Sequence, residues 1–390
     1  MKLPISTNNH TNVQKNDEKR LSSHSPRFTS TKTSFLIALI VIALVCLVSS
    51  CTEQEVEIIE PPKQPPPSTL PDSINVNNLY FSDELSGWLS VTFFGNGKKY
   101  KGGLFKTTNG GVSWNVSLLS EQSILKMVCF TDRLHGWSPG NKGILFSTSD
   151  GGITWVKYDT RKFLGEEDTL YNFVRIYFRN CNEGWIVGSK VGSPIDCGGF
   201  GYLFHTTNGG NDWSIQYTTT DAALTDVDVQ ADGSGCIVGG GHFLDCDPFI
   251  SRTSNSGGTW VRQDVGPYIQ GHVGRVQFRN SFYGFIFDSR GLLRTTNGGL
   301  TWDTIGTAMG AVKEVCIVND SVVYAAFGSP AAIYKSTDQG KNWKVDLQSE
   351  EHLTRLFFLN DSTGWAEGIV ASFSRAAIYK LQNNSWAKIR

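Results

Sequence analysis

The chain of 390 residues is short of charge: Lys, Arg, Asp and Glu make up 18% of it, and 35 basic against 36 acidic side chains leave a formal net charge of −1. A nucleic-acid-binding domain needs a strongly basic surface, so that class is set aside. A disordered, solvating chain needs more charge, so that class goes too. Methionine is scarce, with 3 residues, whereas Gly stands at 41 and Trp at 11. This argues against a helical bundle and for many short strands joined by tight turns. The length is long for one compact domain and short for three.

The N-terminus reads as a targeting segment. Lys2, Lys15, Lys19, Arg20, Arg27 and Lys32 face only Asp17 and Glu18, and seventeen uncharged residues follow, Ser34 to Ser50. A basic region followed by an apolar run marks an export signal, and this run is a little short of a comfortable bilayer span. It ends in Val48-Ser49-Ser50-Cys51, which resembles a lipobox, the bacterial lipoprotein processing site. Residues 1–51 are therefore expected to be a lipoprotein signal peptide, with Cys51 as the lipidated first residue of the mature protein. The alternative is an uncleaved signal-anchor with Cys51 incidental. No Asp adjoins Cys51, and the acidic T-E-Q-E-V-E that follows resembles surface-export signals of some lipoproteins. Six prolines lie between Pro61 and Pro71. Such a run prefers extended polyproline II, so residues 52–74 are expected to be a semi-rigid tether holding the next domain off a surface.

Beyond the tether one unit recurs. T-T-N-G-G-V-S-W at 107–114 returns at 148–155, 206–213, 253–260, 295–302 and 336–343, and a worn copy, L-Q-N-N-S-W, closes the series at 381–386. The Trp residues fall at 114, 155, 213, 260, 302, 343 and 386. A period just above forty suits a four-stranded propeller blade. A second signature precedes the octet: Phe81 and Trp88, Phe130 and Trp137, Phe178 and Trp185, Phe278 and Phe285, Phe358 and Trp365, each pair seven apart. The fold expected is all-β: a seven-bladed β-propeller of four-stranded antiparallel blades over residues 75–390. Its blades are expected at about 75–119, 120–164, 170–219, 222–266, 272–307, 311–348 and 353–390.

The octet has a physical logic. Ser/Thr at its first position and Asp/Asn at its third can bond backbone N–H groups of the same turn. Gly at the fifth admits positive φ. The Trp then anchors the turn by burying its ring. Most copies carry neutral Asn, a poor ligand for a hard cation, so the turns are read as hairpin clamps between strands three and four and not as metal sites. These octets resemble the Asp-box, or BNR repeat, of sialidases, sortilin-type receptors and the photosystem II assembly and stability factor family. Gly184 to Gly188, G-W-I-V-G, resembles the last group in particular. That resemblance implies an assembly scaffold and not an enzyme. Resemblance to sialidases implies a glycosidase on the same fold. No F-R-I-P or Y-R-I-P motif introduces an arginine, and no pair of carboxylates stands out for glycoside hydrolysis.

The candidate site is the channel mouth. Three residues back from the strand-one Phe, the seven blades show Asn78, Met127, Arg175, Asp226, Arg275, Glu314 and Arg355. The last five alternate in sign. They form either a salt-bridge belt between blades or, through the surplus arginine, a site for an anion or acidic peptide. Two long loops open nearby, one with Asp196 and Cys197, the other with His242, Asp245, Cys246 and Asp247. In an exported protein Cys197–Cys246 and Cys181–Cys236 are candidate disulfides, and Cys129 and Cys316 are expected as buried thiols. No metal or other cofactor is expected, since H-x-x-D-C-D lacks a recognisable ligand spacing. The reading is a monomeric, lipid-anchored protein of the cell envelope, on the outer membrane or cell surface. Its partner is expected to be an envelope protein or a surface glycan, with a sialidase-like hydrolase as the alternative.

Overall fold

The computed structural model describes residues 57–59, 70–71, 73–94, 99–160, 171–190, 199–240, 248–263, 273–287, 291–305, 312–328, 330–370 and 376–390. All of them belong to the unit Val56–Arg390. The leader, Cys51, most of the proline run, Cys197, Cys246 and the His242 loop lie outside the described residues. Seven antiparallel sheets follow one another at 74–120, 129–159, 171–219, 223–262, 275–305, 312–348 and 352–388, with strands in sequential order, and no helix occurs among the described residues. Strands one and three run the same way in each blade. The octet turns therefore share one end of the propeller with the turns between strands one and two, and the loops between strands two and three share the other.

The Phe-to-Trp spacing has a packing cause. The strand-one Phe folds its ring over the Gly that opens strand two. A Cβ on Gly87, Gly136, Gly184, Gly284 or Gly364 would sit 2.5–2.6 Å from that ring. The aromatic after the Gly then reaches the next blade: Trp88 meets Phe130 with ring centroids 4.1 Å apart, and Tyr324 meets Phe358 at 4.1 Å. Trp365 of the last blade stacks on Phe81 of the first at 3.6 Å and 7°. The circle thus closes by the same contact that joins blades one and two and blades six and seven, with no strand exchanged. Each such aromatic is worth several kcal/mol of burial, roughly 3–5 if truncated to Ala.

The octet turns are clamps. Thr107 Oγ1 accepts the N–H of Gly111 at 3.0 Å, Asn109 Oδ1 accepts that of Ser113 at 2.9 Å, and Trp114 Nε1 donates to the Gly111 carbonyl at 3.0 Å. Gly152, Gly210, Gly257, Gly299 and Gly340 repeat the first bond at 2.8–2.9 Å. The Gly at the fifth position has φ between 76 and 96 in every one of these six copies, which a Cβ would strain. The seventh copy differs. Gln382 pairs with Ser385 across Asn383 and Asn384, whose φ values of 53 and 58 make a two-residue hairpin of the type that favours Asn. It has no hydroxyl at its first position, so no clamp forms.

Two further features were absent from the sequence reading. The residue before each octet is mostly basic and lies over the aromatic across the ladder: Lys106 over Trp88, Lys335 over Tyr324 and Lys380 over Trp365, at 5.1–5.3 Å. Lys106 and Arg294 also donate to octet carbonyls of the following blade, at Gly151 and Gln339. The second feature corrects the tether. Residues 57–59 form a fifth, outermost strand on blade two, with Glu57 opposite Lys157 and Ile59 opposite Trp155. Leu70 is buried in the core shared by the first and last blades, and its carbonyl accepts from Arg390 Nη2 at 2.7 Å.

Candidate functional site

The first strands of all seven blades enclose a channel of about 410 Å³. In five blades the ladder between strands one and two slips by one residue just before the aligned position, between Val76 and Asn78, Phe173 and Arg175, Leu224 and Asp226, Val312 and Glu314, and Leu353 and Arg355. Such a bulge bends the strand and re-aims the next side chain. Asn78, Met127, Arg175, Asp226, Arg275 and Glu314 all line the channel. Asn78, Arg175, Asp226 and Glu314 sit within their strands, Arg175 within Tyr171–Phe178 for instance, whereas Arg275 opens its strand and Met127 precedes one, so the level lies inside the channel and not at its mouth.

Two of the expected pairs form across blade boundaries. Arg175 Nε lies 2.7 Å from Asp226 Oδ1, and Arg275 Nη2 lies 3.5 Å from Glu314 Oε2. Arg355 behaves differently. Its Nε donates to the Asn77 carbonyl at 2.6 Å and its Nη1 to the Thr354 carbonyl at 2.7 Å, and among the described residues it makes no ion pair. The alternating ring of five is therefore two pairs plus an arginine that seals the seam between the last blade and the first.

The carboxylates are tied to the following blade's backbone. Asp226 Oδ2 accepts the N–H of Val276 at 3.2 Å, as Asn78 Oδ1 accepts that of Val128 at 3.1 Å. Two residues further along the strand a second level repeats the device: Asp228 Oδ2 accepts from Phe278 N at 2.7 Å, Gln277 Oε1 accepts from Ile317 N at 3.2 Å, and Tyr80 and Tyr177 donate to the carbonyls of Phe130 and Val229. Sequence reasoning missed this level, although D-V-D at Asp226–Asp228 puts both side chains on one face. Burial pushes Asp226 up to about 7 and Asp228 up to about 6, against the pull of Arg175 and their N–H partners. Burial raises Glu314 as well, opposed by Arg175 and Arg355.

Glu367 was also missed. It lies opposite Arg355 in the ladder, is fully buried, accepts a bond from Thr354 Oγ1, and has no partner for Oε1. Burial lifts its carboxyl to about 7. Asp228 on the second level and Glu367 beside Arg355 thus add two acids close to the three arginines.

The cysteine expectations fare unevenly. Cys181 and Cys236 are both free, which overturns that disulfide. Cys181 is exposed, whereas Cys236 takes the place of the strand-two Trp in its blade and packs forward against Val276, Phe278 and Trp302. Cys129 and Cys316 are free and line the channel, with burial pushing both thiols up to about 12.

Comparison with known proteins places this geometry. No curated protein sequence matches the chain. A structure of YCF48 bound to D1 peptide superposes with a TM-score of 0.59 at 15% identity, over 86% of this chain and 97% of that one. YCF48 from Cyanidioschyzon merolae gives 0.57 at 18%, over 81% and 97%. A xyloglucanase from Xanthomonas campestris gives 0.50 at 12%, over 80% and 60%. At such identities the superpositions establish the propeller fold and not the activity. Residues 106–217 match the family model of the photosynthesis system II assembly factor YCF48, and it is this assembly-factor type of propeller that the chain is similar to in sequence and in fold.

Proposed function

We propose that this protein is a lipid-anchored envelope scaffold whose propeller binds a segment of another protein, with the channel arginines as the recognising groups. The observation that carries this reading is the unequal use of charge in the channel. Asp226 and Asp228 are consumed by backbone N–H groups of the next blade, whereas Arg175 and Arg275 each make one ion pair and line the channel. Guanidinium donors so placed suit carboxylates of a partner. The similarity to YCF48 propellers, one of them solved with a peptide bound, supports a protein partner over a glycan. Lipidation at Cys51, an outer-membrane or cell-surface address and the absence of catalysis belong to this same proposal. A glycosidase needs two carboxylates free to act on one bond, and the buried acids of the channel are instead held as acceptors between blades.

The test is affinity capture from envelope extract with the wild-type protein and with Arg275→Ala. A partner retained by the wild type and lost by the variant, at an unchanged melting temperature, supports the reading. Equal capture by both sinks the assignment to the channel.

A further inference from the structure

We propose that the end of the propeller opposite the octet turns, at blades one and two, lies against an anionic bilayer surface. The inference rests on the lipid-anchor reading of Cys51 and adds an orientation to it. Its first support is strand polarity. Trp155–Asp159 runs away from the octet turn, and residues 57–59 pair with it antiparallel, Glu57 opposite Lys157 and Ile59 opposite Trp155. The chain therefore enters this strand from the end opposite the octet turns. Glu57 also holds Lys157 at 2.8 Å. Cys51 is six residues before Glu57, a reach of about 20 Å even when fully extended. An acyl chain on Cys51 thus keeps that end of blade two near the membrane, whatever the proline run does, because the proline run follows the docked strand.

The second support is the surface found there. The loops between strands two and three of blades one and two present Phe94, Lys99, Tyr100, Lys101 and Lys142, with Lys126 from the crossover between the blades; the lysines and Phe94 are exposed. These segments are stitched together: Lys101 N–H donates to the Ser120 carbonyl at 2.8 Å, and Ser123 Oγ donates to Asn141 Oδ1 at 2.9 Å. Glu121 offsets one lysine, Lys99, at 2.9 Å. Lysines interleaved with aromatic rings suit a headgroup region, where the ammonium groups meet lipid phosphates and the rings sit at the interface.

Lysine footprinting of the full-length, lipidated protein tests the orientation. The protein is compared in detergent and in phosphatidylcholine vesicles with and without phosphatidylglycerol, and the mass of its N-terminal peptide reports lipidation separately. The expected result is several-fold lower labelling of Lys99, Lys101, Lys126 and Lys142 in phosphatidylglycerol vesicles, with Lys341 and Lys344 unchanged. Ile58→Pro, which breaks the added strand but keeps the lipid, should weaken that protection. A lipidated chain whose four lysines label as in detergent overturns the orientation alone. Protection that arises in envelope membranes and not in pure lipid assigns the surface to a protein and overturns the bilayer assignment. An N-terminal peptide without lipid overturns the anchor and this orientation with it.

Discussion

The octet end of the propeller and its channel tell different stories. On the octet side the blades repeat one another: the hydroxyl clamp forms in six copies, the strand-one Phe covers a Gly in five, and a cation commonly lies over the cross-strand aromatic. In the channel the blades differ, with Asn78, Met127, Arg175, Asp226, Arg275 and Glu314 at one level. Repetition marks what every blade needs in order to pack against its neighbour. A residue that only one blade carries is free to serve something particular to this protein.

The largest effects should come from breaking the repeated side. Trp155→Ala and Trp302→Ala remove buried anchors and should each cost about 3–5 kcal/mol in denaturant unfolding, because both rings fill closed space. Trp386→Ala, in the hairpin without a clamp, should cost clearly less, as its half-exposed ring leaves no comparable cavity. Equal costs at Trp155 and Trp386 would remove the distinction between the clamp and the hairpin.

Next come the channel pairs. Arg175→Ala leaves Asp226, 1% exposed, without its guanidinium and should destabilise by about 3 kcal/mol at neutral pH. Arg275→Ala should cost under about 1 kcal/mol, since the 3.5 Å contact to Glu314 is too long for a strong charge-assisted bond. Thermal melts of the two variants side by side test whether the pairs are as unequal as their geometry.

Glu367 sharpens the comparison through pH. Its carboxyl is held near 7 in the folded state against the ordinary value of 4.5, by burial first. The folded protein thus binds the proton more tightly than the unfolded chain. Stability from this group is full below about pH 4.5 and is lost as pH rises through 7, on the order of 3 kcal/mol in all. Asp226 and Asp228 act in the same direction. Glu367→Gln should flatten the slope and leave the variant more stable than wild type at pH 8. A wild-type melting temperature that rises from pH 5 to pH 8 would contradict this.

A modest effect is expected at a single clamp bond. Thr107→Ala removes one acceptor for the Gly111 N–H and should cost about 1–2 kcal/mol. Thr107→Ser, which keeps the oxygen, should recover most of it in the same unfolding assay.

Much of the fold was legible because it is periodic. The octet, the Phe-to-Trp spacing and the residue three back from the Phe can each be read by sliding one blade along the next. Features that depend on register between blades were not legible. The bulge before Asn78 or Arg175 changes no residue type, and Asp228 reveals its role only once its oxygen meets the N–H of Phe278. Glu367 stands where other blades carry Ser90, Val187, Val238 or Ala326, a departure visible in the alignment but overlooked beside the Trp that precedes it. Arg355 matched the charge pattern, yet the closing seam turned it onto backbone carbonyls. The added strand at 57–59 was hidden by the prolines after it, whose composition reads as a free tether.

The central claim is that recognition belongs to the channel and not to the repeated octet face. A photo-cross-linking residue placed at position 316, which lines the channel, or at position 300, exposed on an octet turn, tests it directly in envelope extract. The account predicts a partner captured from position 316 and none from position 300. Capture from position 300 alone would contradict it.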